Sequence, residues 1–381
     1  MLIYCTAPEG GLAEHVHYQA NAFSRAGVAT FVITCPKYLP DHEFKNYTTL
    51  SWLLPPYLQS NNRFLKALYF ATAVIVNQLI LAFCILFRRH KRVLLAASSE
   101  TLALIWVWPH VMLRWLGVRY AANIHDPQRK RLDQAEWWHR WSIKASFLPV
   151  EFGLVHEDFD KDQPDIPSHV TCLAVPYGCY EANISEGDGA ALRSELIGAD
   201  QARTIFLAFG YIADRKNIDL CIRAVSSVPR AMLVVAGPAA SRHDKPASYY
   251  RGLAAELGCS DRVRIEEGFI PERMVANYFG AADVVLLSYK PEFVSQSGVL
   301  LLASNWAKPV LASSGAGPLS RVVRRFDLGL VVEPDDVNAL RTAMEHLIAH
   351  GYSTSGWAEF SKHASWDRNV AILLSAFSQS R

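Results

Sequence analysis

Short runs of β-branched and other apolar residues recur along the whole chain, and each is followed by a longer segment of helical character. In the first half these runs are LIYCTA, TFVITC, VLLAAS, RYAANIH, FGLVHE and VTCLAVP, and in the second half TIFLAFG, AMLVVAG, RVRIEEG, VVLLSY, PVLASS and GLVVEP. Continuous apolar strands that alternate with helices are typical of a parallel sheet covered on both faces. The two series predict two doubly wound α/β domains.

The length of 381 residues suits two domains of ordinary size. The polar, Gly-rich stretch 181–190 is the predicted linker, so the expected domains are residues 1–182 and 183–381, with the last helix available to pack back on the first domain. In open parallel sheets, ligands bind beyond the carboxyl ends of the strands. The expected site is a cleft between two such domains that face each other.

Composition argues against several classes of protein. The formal net charge of +2 gives no nucleic-acid footprint. The seven cysteines are odd in number, scattered and without a C-x-x-C pair, which indicates a reducing compartment and neither a disulfide framework nor a zinc site. The first residues, MLIYCTAPEGG, contain no basic leader, so export is not expected. No G-x-G-x-x-G follows the first strand of either half, which disfavours an NAD-dependent enzyme.

A basic turn follows the first predicted strand of the second half, in FGYIADRKNIDLCIRAV. Gly210 lets the backbone approach a ligand at the strand's end, and Arg215 and Lys216 place two cations just before a helix. Two cations beside such a strand end suit a diphosphate. The alternative is a basic loop that only faces water.

The stretch VSQSGVLLLASNWAKPV starts polar and small and then runs apolar for about a helix's length. The first turn of a helix presents unpaired N–H groups and a partial positive charge, so Ser295, Gln296, Ser297 and Gly298 suggest an anion there. The alternative is a helix that its own serine caps, with nothing bound.

Two further turns close strands of the second half. Gly237 and Pro238 end the strand in MLVVAGPAA, which is typical of a structural turn. The turn EEGFIPERM places Phe269 and Ile270 just before a helix that starts at Pro271, where backbone groups can contact a base.

In the first half, EGGLAEHVH is a Gly turn that enters a helix. Gly10 and Gly11 let the backbone approach a ligand, and Glu14 and His15 lie on the first turns, facing the cleft or solvent. Solvation is the simpler interpretation for Glu14 and His15.

Taken together and in this order, the motifs resemble those of the family 4 glycosyltransferases, which have the two-domain GT-B fold. The resemblance covers most of the chain and rests on GG at 10–11, IHDP at 124–127, VPYG at 175–178, FGYIADRKNIDL, VVAG, GFIPERM, ADVVLLSY, SQSGV, KPV and GLVVEPDD. It implies transfer of a sugar from a UDP- or GDP-sugar, with the nucleotide on the second domain and the acceptor on the first. The nucleotide-sugar is then a substrate, and no cofactor is expected.

The resemblance also implies a role for each motif. His125 and Lys216 would be catalytic, with His125 touching the transferred sugar, although Asp126 beside it could simply organise the turn before Pro127. The implied diphosphate contacts are Gly210, Arg215, Lys216, Ser295, Gln296, Ser297, Gly298 and Val299. The implied base and ribose contacts are Gly237, Phe269 and Ile270, and the acceptor and sugar contacts are Gly10, Gly11, His15, His125 and Asp126.

Breaking a sugar–phosphate bond creates an oxocarbenium-like sugar and a diphosphate leaving group, whose negative charge must be stabilised. Lys216, Arg215 and the helix start at Ser297 and Gly298 would do this. On this interpretation the protein itself supplies the positive charge, and no divalent metal ion is required. The resemblance implies retention of configuration, with the leaving phosphate as the base.

The chain departs from the family pattern at two places. The usual E-x7-E pair is replaced by Val294 and Leu302, with Glu292 two residues out of register, and the usual Arg before Lys216 is Tyr211. A branch with S-Q-S-G-V in place of the pair is similar to this chain. The ribose contact and the identity of the base therefore stay open. The alternative functions are a catalytically silent nucleotide-binding or partner-binding protein, a sugar-nucleotide epimerase and a phosphorylase.

Residues 67–87, ALYFATAVIVNQLILAFCILF, have roughly the length that spans a bilayer. Spanning would separate the first two strands from the rest of their sheet, and Asn77 and Gln78 lie at the middle, so a transmembrane helix is not expected.

A second segment, residues 128–144, sets Trp137, Trp138 and Trp141 among basic residues. This pattern suits the interface of an anionic membrane, with packing in the core as the alternative. We therefore expect peripheral attachment to the inner face of the cytoplasmic membrane and a lipid-linked glycan as acceptor.

Overall fold

The computed structural model describes residues 1–38, 44–97, 99–125, 136–156, 166–180, 189–198, 200–241, 243–293 and 295–379. The chain divides into two compact units. The first unit comprises Met1–Gly178 and Ser365–Arg381, and the second comprises Cys179–Ala364. The first boundary lies four residues before the predicted 182/183 division, and the end of the chain belongs to the first unit.

The first unit contains a parallel sheet of seven strands in the order β3-β2-β1-β4-β5-β6-β7. The strands are β1 Leu2–Cys5, β2 Phe31–Ile33, β3 Thr48–Leu50, β4 Arg92–Ala97, β5 Arg119–Ile124, β6 Val150–His156 and β7 Thr171–Val175. All six predicted runs of this half form strands. The sequence analysis missed β3, which is a three-residue edge strand of sequence TTL and therefore shows no apolar run.

The helices that the described residues form beside this sheet are α1 Gly11–Arg25, α2 Arg63–Phe87, α3 Ala103–Trp106, α4 Trp108–Trp115, α5 Glu136–Ser146 and, from the end of the chain, α14 Trp366–Gln379. A core of apolar side chains from β1, β4 and β5 receives Leu81, Cys84 and Ile85 of α2. The helix α2 is therefore tied to the sheet along one face of its second half.

The middle of α2 is polar for a local reason. Asn77 is buried, accepts a hydrogen bond from the backbone N–H of Leu54 at 2.7 Å and donates one to the Leu54 carbonyl at 3.0 Å. These bonds hold the segment before α2 against the helix. By length and composition α2 could cross a membrane, but 44% of its most apolar window is buried in the protein, and its flanking strands β1, β2 and β4 share one sheet.

The last helix, α14, is bound to the first unit by a buried amide network. The Gln19 side chain donates to Oδ1 of Asn369 at 2.9 Å and accepts from Nδ2 of Asn123 at 2.8 Å. Asn369 also donates to the carbonyl oxygen of Pro176 at 2.9 Å. Buried amides that satisfy one another fix α1, β5 and α14 in register.

The second unit contains a parallel sheet of six strands in the order β10-β9-β8-β11-β12-β13. The strands are β8 Thr204–Phe209, β9 Ala231–Gly237, β10 Val263–Glu267, β11 Val284–Ser288, β12 Val310–Ser313 and β13 Gly329–Val332. The six predicted runs of this half all form strands. The predicted linker 181–190 lies outside the described residues except for Gly189 and Ala190.

In the part of this unit that the structure describes, the helices are α6 Ala190–Ile197, α7 Ile218–Ser226, α8 Ala247–Glu256, α9 Glu272–Ala281, α10 Gly298–Ala303, α11 Pro318–Arg325, α12 Val337–His350 and α13 Gly356–His363. The apolar positions predicted for α7 are buried, since Ile218, Cys221, Ile222 and Val225 all lie in the core. That placement fixes the basic turn before α7 at the carboxyl edge of the sheet.

Candidate functional site

In each sheet, the strand order reverses at one point. In the second unit this switch lies between β8 and β11, and in the first between β1 and β4. Open parallel sheets bind ligands beyond the carboxyl ends of the strands that flank such a point. The basic turn follows β8, and the segment that leads into α10 follows β11, so both predicted diphosphate motifs lie at the switch of the second unit.

Gly210, Lys216 and Val299 come together at this switch. A Cβ placed on Gly210 would lie 3.3 Å from Nζ of Lys216 and 3.7 Å from Cγ2 of Val299. Gly210 also has a φ of 87°, in the region that favours glycine. Because Gly210 has no side chain, a space remains open between the Lys216 ammonium group and the first turn of α10.

Lys216 ends a short 3₁₀ turn, Asp214–Lys216, and its side chain is buried. Its Nζ donates a hydrogen bond to the carbonyl oxygen of Phe209, and the Ser288 hydroxyl donates to its backbone carbonyl at 2.7 Å. Burial, and secondarily the charge of Arg215, lowers the pKa of Lys216 to about 7. The hydrogen bond to Phe209 thus orients the ammonium group. Because its pKa is lowered, a bound anion would stabilise its charged form.

The start of α10 is arranged differently from a self-capped helix. Ser297 is the N-cap residue, but its side chain makes no capping hydrogen bond. Its hydroxyl is instead hydrogen-bonded at 3.0 Å to that of Tyr289, whose pKa burial raises. The alternative of a serine-capped helix is therefore wrong. The helix is also shorter than predicted, since it ends at Ala303.

The remaining polar residues of this motif lie just before α10. Ser295 and Gln296 are half-buried, and Gln296 Oε1 accepts a hydrogen bond from the backbone N–H of Ser297 at 3.3 Å. Val294 lies outside the described residues.

Gly237 lies directly against Gly210. A Cβ on Gly237 would be 2.3 Å from the carbonyl oxygen of Gly210, and its φ is 150°. The backbone N–H of Gly268 donates to the Gly237 carbonyl at 3.1 Å and ties the next turn to the same edge. In that turn the Phe269 ring is exposed and Ile270 is half-buried.

Two side chains of the turn before Lys216 are exposed. Tyr211, at the position of the family's usual Arg, and Arg215 are both exposed. Arg215 contributes its carbonyl, which accepts a hydrogen bond from the backbone N–H of Lys290 at 2.9 Å.

A second cluster lies at the carboxyl ends of β5, β6 and β7 in the first unit. The rings of His125 and Tyr177 lie 4.6 and 4.8 Å from that of His15, and Trp366 closes the group at 4.7 Å. His156 stacks on Tyr177 at 4.3 Å. A Cβ on Gly178 would lie 2.3 Å from the Trp366 ring, so this glycine permits the close packing.

His15 does not face solvent as expected. It is 2% exposed, and neither ring nitrogen has a hydrogen-bond partner among the described residues. Burial, followed by the nearby His125, holds its pKa well below the usual range. Burial likewise lowers the pKa of His156 to about 3. His15 and His156 are therefore neutral at physiological pH.

The other predicted residues of this unit lie near the same edge. Gly10 is the N-cap residue of α1 with a φ of 79°, and Gly11 begins the helix, both exposed. Glu14 is half-buried. Asp126 lies outside the described residues, so its predicted place on the acceptor side stays a prediction.

Sequence reasoning missed four residues of these two clusters, namely His156, Tyr177, Trp366 and Tyr289. Tyr177 stands in the quoted VPYG motif, and His156 ends a predicted strand, so both had a signal in the sequence. Trp366 comes from the far end of the chain and had none. Among the described residues, no group of three His, Cys, Asp or Glu side chains is arranged to hold a metal ion.

The sequence of the second unit matches a known family. Residues 203–350, from β8 to the end of α12, match the family described as Glycosyl transferases group 1. The D-inositol 3-phosphate glycosyltransferase of Nocardia farcinica is 31% identical over 207 residues, which are 52% of this chain and 39% of that relative. The match therefore spans well under half of the relative's length.

Solved structures resemble the whole chain. Sucrose-phosphate synthase from Thermosynechococcus elongatus has a TM-score of 0.70 at 18% identity, covering 99% of this chain and 98% of that one. HepE from Anabaena, solved in complex with UDP and glucose, has a TM-score of 0.71 at 14% identity, with the same coverage of both chains. The chain thus has the GT-B fold, and its residues 203–350 carry the pattern of Glycosyl transferases group 1.

Proposed function

We propose that this chain is a family 4 glycosyltransferase of the branch with S-Q-S-G-V in place of the Glu pair. It moves a sugar from a UDP- or GDP-sugar to a lipid-linked or polysaccharide acceptor, without a metal ion and with retention of configuration. The observation that carries the proposal is the buried Lys216 ammonium group beside Gly210 at the switch point of the second unit. The Glycosyl transferases group 1 match over the same residues supports it.

In this mechanism Lys216 stabilises the negative charge that develops on the leaving diphosphate. Its Nζ exchanges the Phe209 carbonyl for a phosphate oxygen, and Gly210 leaves room for that oxygen. The backbone N–H groups at the start of α10 face the same charge. The leaving phosphate is then the base that takes the proton of the acceptor hydroxyl.

Binding of nucleotides tests the proposal directly. UDP, GDP, ADP and dTDP are titrated into the purified full chain by calorimetry without added metal ion. We expect one of them to bind with a Kd in the micromolar range, and that nucleotide identifies the donor class. If none binds, the catalytically silent alternative takes precedence, because Leu302 stands where relatives have a ribose-binding Glu.

The first prediction concerns pH. A bound diphosphate favours the charged form of Lys216, whose pKa in the free protein is about 7. Below pH 7 the amine is already protonated and its contribution is complete. Above pH 7 each binding event must take up a proton, so affinity falls by up to about tenfold per pH unit.

Calorimetry between about pH 7 and about pH 9 avoids the terminal phosphate, which titrates near pH 6. Two buffers of different ionisation enthalpy report the proton uptake. A wild-type affinity that stays constant over this range, or an equal slope in Lys216→Met, contradicts the prediction.

The second prediction concerns His125. If its ring contacts the transferred sugar, His125→Ala removes one hydrogen bond in the transition state. The rate at which nucleotide is released from the donor should then fall by about tenfold. Nucleotide affinity should be unchanged, since the diphosphate residues belong to the other unit. His346→Ala, an exposed histidine of α12, is the matched control. An unaltered rate in His125→Ala removes His125 from the site.

We also propose that the acceptor is lipid-linked and that the protein works peripherally on the inner face of the cytoplasmic membrane. The support is α2, whose apolar length is only partly buried in the protein. A helix face of this kind needs an apolar cover. Trp137 and Trp141 of α5 are exposed rather than packed in the core, which favours the interface interpretation over the core alternative.

A further inference from the structure

A row of large apolar side chains lies on the outer face of α3 and α4, where the sequence analysis had predicted no function. We call Ile105, Trp108, Met112, Trp115 and Leu116 the outer row. All five are exposed, Met112 by 63% and Trp115 by 83%. Ile105, Trp108, Met112 and Trp115 follow one another at three or four residues, and Leu116 follows Met112 by four, which places them on one side of the helical segment. Exposed apolar rows of this size mark a surface that contacts something else.

Buried residues of the same helical segment fix the orientation of this row. A small core joins Val74 of α2, Trp106 at the end of α3, Val107 just after it, and Ala145 of α5. The outer row lies on the side of the segment opposite Trp106 and Leu113, which are buried. The row is therefore held outward by packing and cannot turn inward without opening that core.

The neighbouring helices α2 and α5 also have exposed apolar side chains. On α2, Leu79 and Phe83 are exposed, and the Phe83 ring stacks on that of Phe87 at 5.6 Å. On α5, Trp137 and Trp141 are exposed one turn apart. Because α3 packs on both α2 and α5, the three exposed faces belong to one part of the first unit.

Basic residues predominate around this surface. The helices α2, α3 and α4 contain no Asp or Glu, and Glu136 of α5 is paired with Arg140 at 3.5 Å. Arg63 and Lys66 lie at the start of α2, and Lys144 lies on the exposed side of α5. Basic residues around an apolar centre complement the anionic headgroups of a bilayer.

We propose that the outer row is a membrane-inserting wedge. Trp108, Met112 and Trp115 enter the acyl region of one leaflet of an anionic bilayer, while the exposed sides of α2 and α5 lie at headgroup depth. The Trp108 indole N–H already donates to the Leu104 carbonyl at 2.9 Å, so this ring can leave water without an unpaired donor. Binding is then mainly apolar and survives high salt, unlike adsorption by charge alone.

Flotation of the full chain tests this with vesicles of equal phosphatidylcholine and phosphatidylglycerol. We expect the protein to float, and to remain bound in about 1 M NaCl, where surface charges are screened. The double variant Met112→Glu, Trp115→Glu should lower the partition coefficient by about 100-fold. Met274→Glu, an exposed methionine on α9 of the second unit, is the matched control and should float like the wild type.

A second variant keeps the test valid if the charged double variant fails to fold. With vesicles of lipids brominated in the acyl chain, Trp115→Phe should float normally but lose part of the tryptophan quenching seen in the wild type. Absence of flotation at low salt, full release by salt, or equal quenching in wild type and Trp115→Phe overturns the wedge. So does a dimer in sedimentation that Met112→Glu dissociates, since a second copy would then cover the row.

The inference does not depend on the proposed transferase chemistry. Flotation needs no donor, and nucleotide affinity of the same preparations reports on Lys216 alone. Loss of one property without the other therefore distinguishes the failure of either proposal.

Discussion

Lys216→Ala is expected to lower the affinity for the nucleoside diphosphate by about 100-fold. The Lys216 ammonium group is buried at the switch point and donates a hydrogen bond to the carbonyl oxygen of Phe209. Truncating one partner of a buried, hydrogen-bonded charge pair costs about 2–5 kcal/mol. The measurement is calorimetry with whichever of the four nucleotides binds the wild type.

The control for this variant is Lys362→Ala, which removes an equal charge from an exposed position on α13 of the same unit. It should bind the nucleotide like the wild type. Equal, small losses in both variants would show that only the net charge of the unit matters. In that case the diphosphate does not bind at Lys216, and the proposed site is wrong.

Gly237→Ala is expected to destabilise the second unit by about 2–5 kcal/mol. The new Cβ would lie 2.3 Å from the carbonyl oxygen of Gly210, and the backbone φ of 150° is one that L side chains rarely adopt. Because the obstructing atom belongs to the backbone of β8's end, relief must move Gly210 itself. Nucleotide affinity should therefore fall together with the free energy of unfolding.

Denaturant unfolding followed by circular dichroism measures the stability change. Gly252→Ala is the matched control, since Gly252 lies within α8 with no heavy atom within 4 Å of its added Cβ. That variant should gain about 0.5–1 kcal/mol from helix propensity. A Gly237→Ala protein with wild-type stability and affinity would show that the edge of the sheet is free to adjust.

Much of the fold was predictable because parallel strands that are buried on both faces are continuous apolar runs. All twelve predicted strands are present, and the core side of α7 was correctly identified from its spacing. The strand β3 was not predictable in this way, since an edge strand of three residues is specified by its neighbour β2 rather than by its own side chains.

The candidate site of the second unit was predicted from the motifs that follow β8 and β11, since the family resemblance implies that Gly210, Lys216 and Val299 contact one diphosphate. The distances from a Cβ on Gly210 to Lys216 and Val299, 3.3 and 3.7 Å, were not predictable, because they depend on the strand order that places β8 beside β11. The pairing of Ser297 with Tyr289 likewise needed the tertiary structure, since both N-cap chemistry and a tertiary partner were open to this serine.

The sequence by itself determined the two α/β series, the turns that carry the basic and polar motifs, and an apolar helix with polar residues at its middle. Only the tertiary structure decided that His15 is buried, that Trp366 packs on His15 from the far end of the chain, and that the outer row is exposed. The physical reason is that periodicity reports which side chains share a face. Whether that face meets protein or something outside it depends on contacts between residues far apart in sequence.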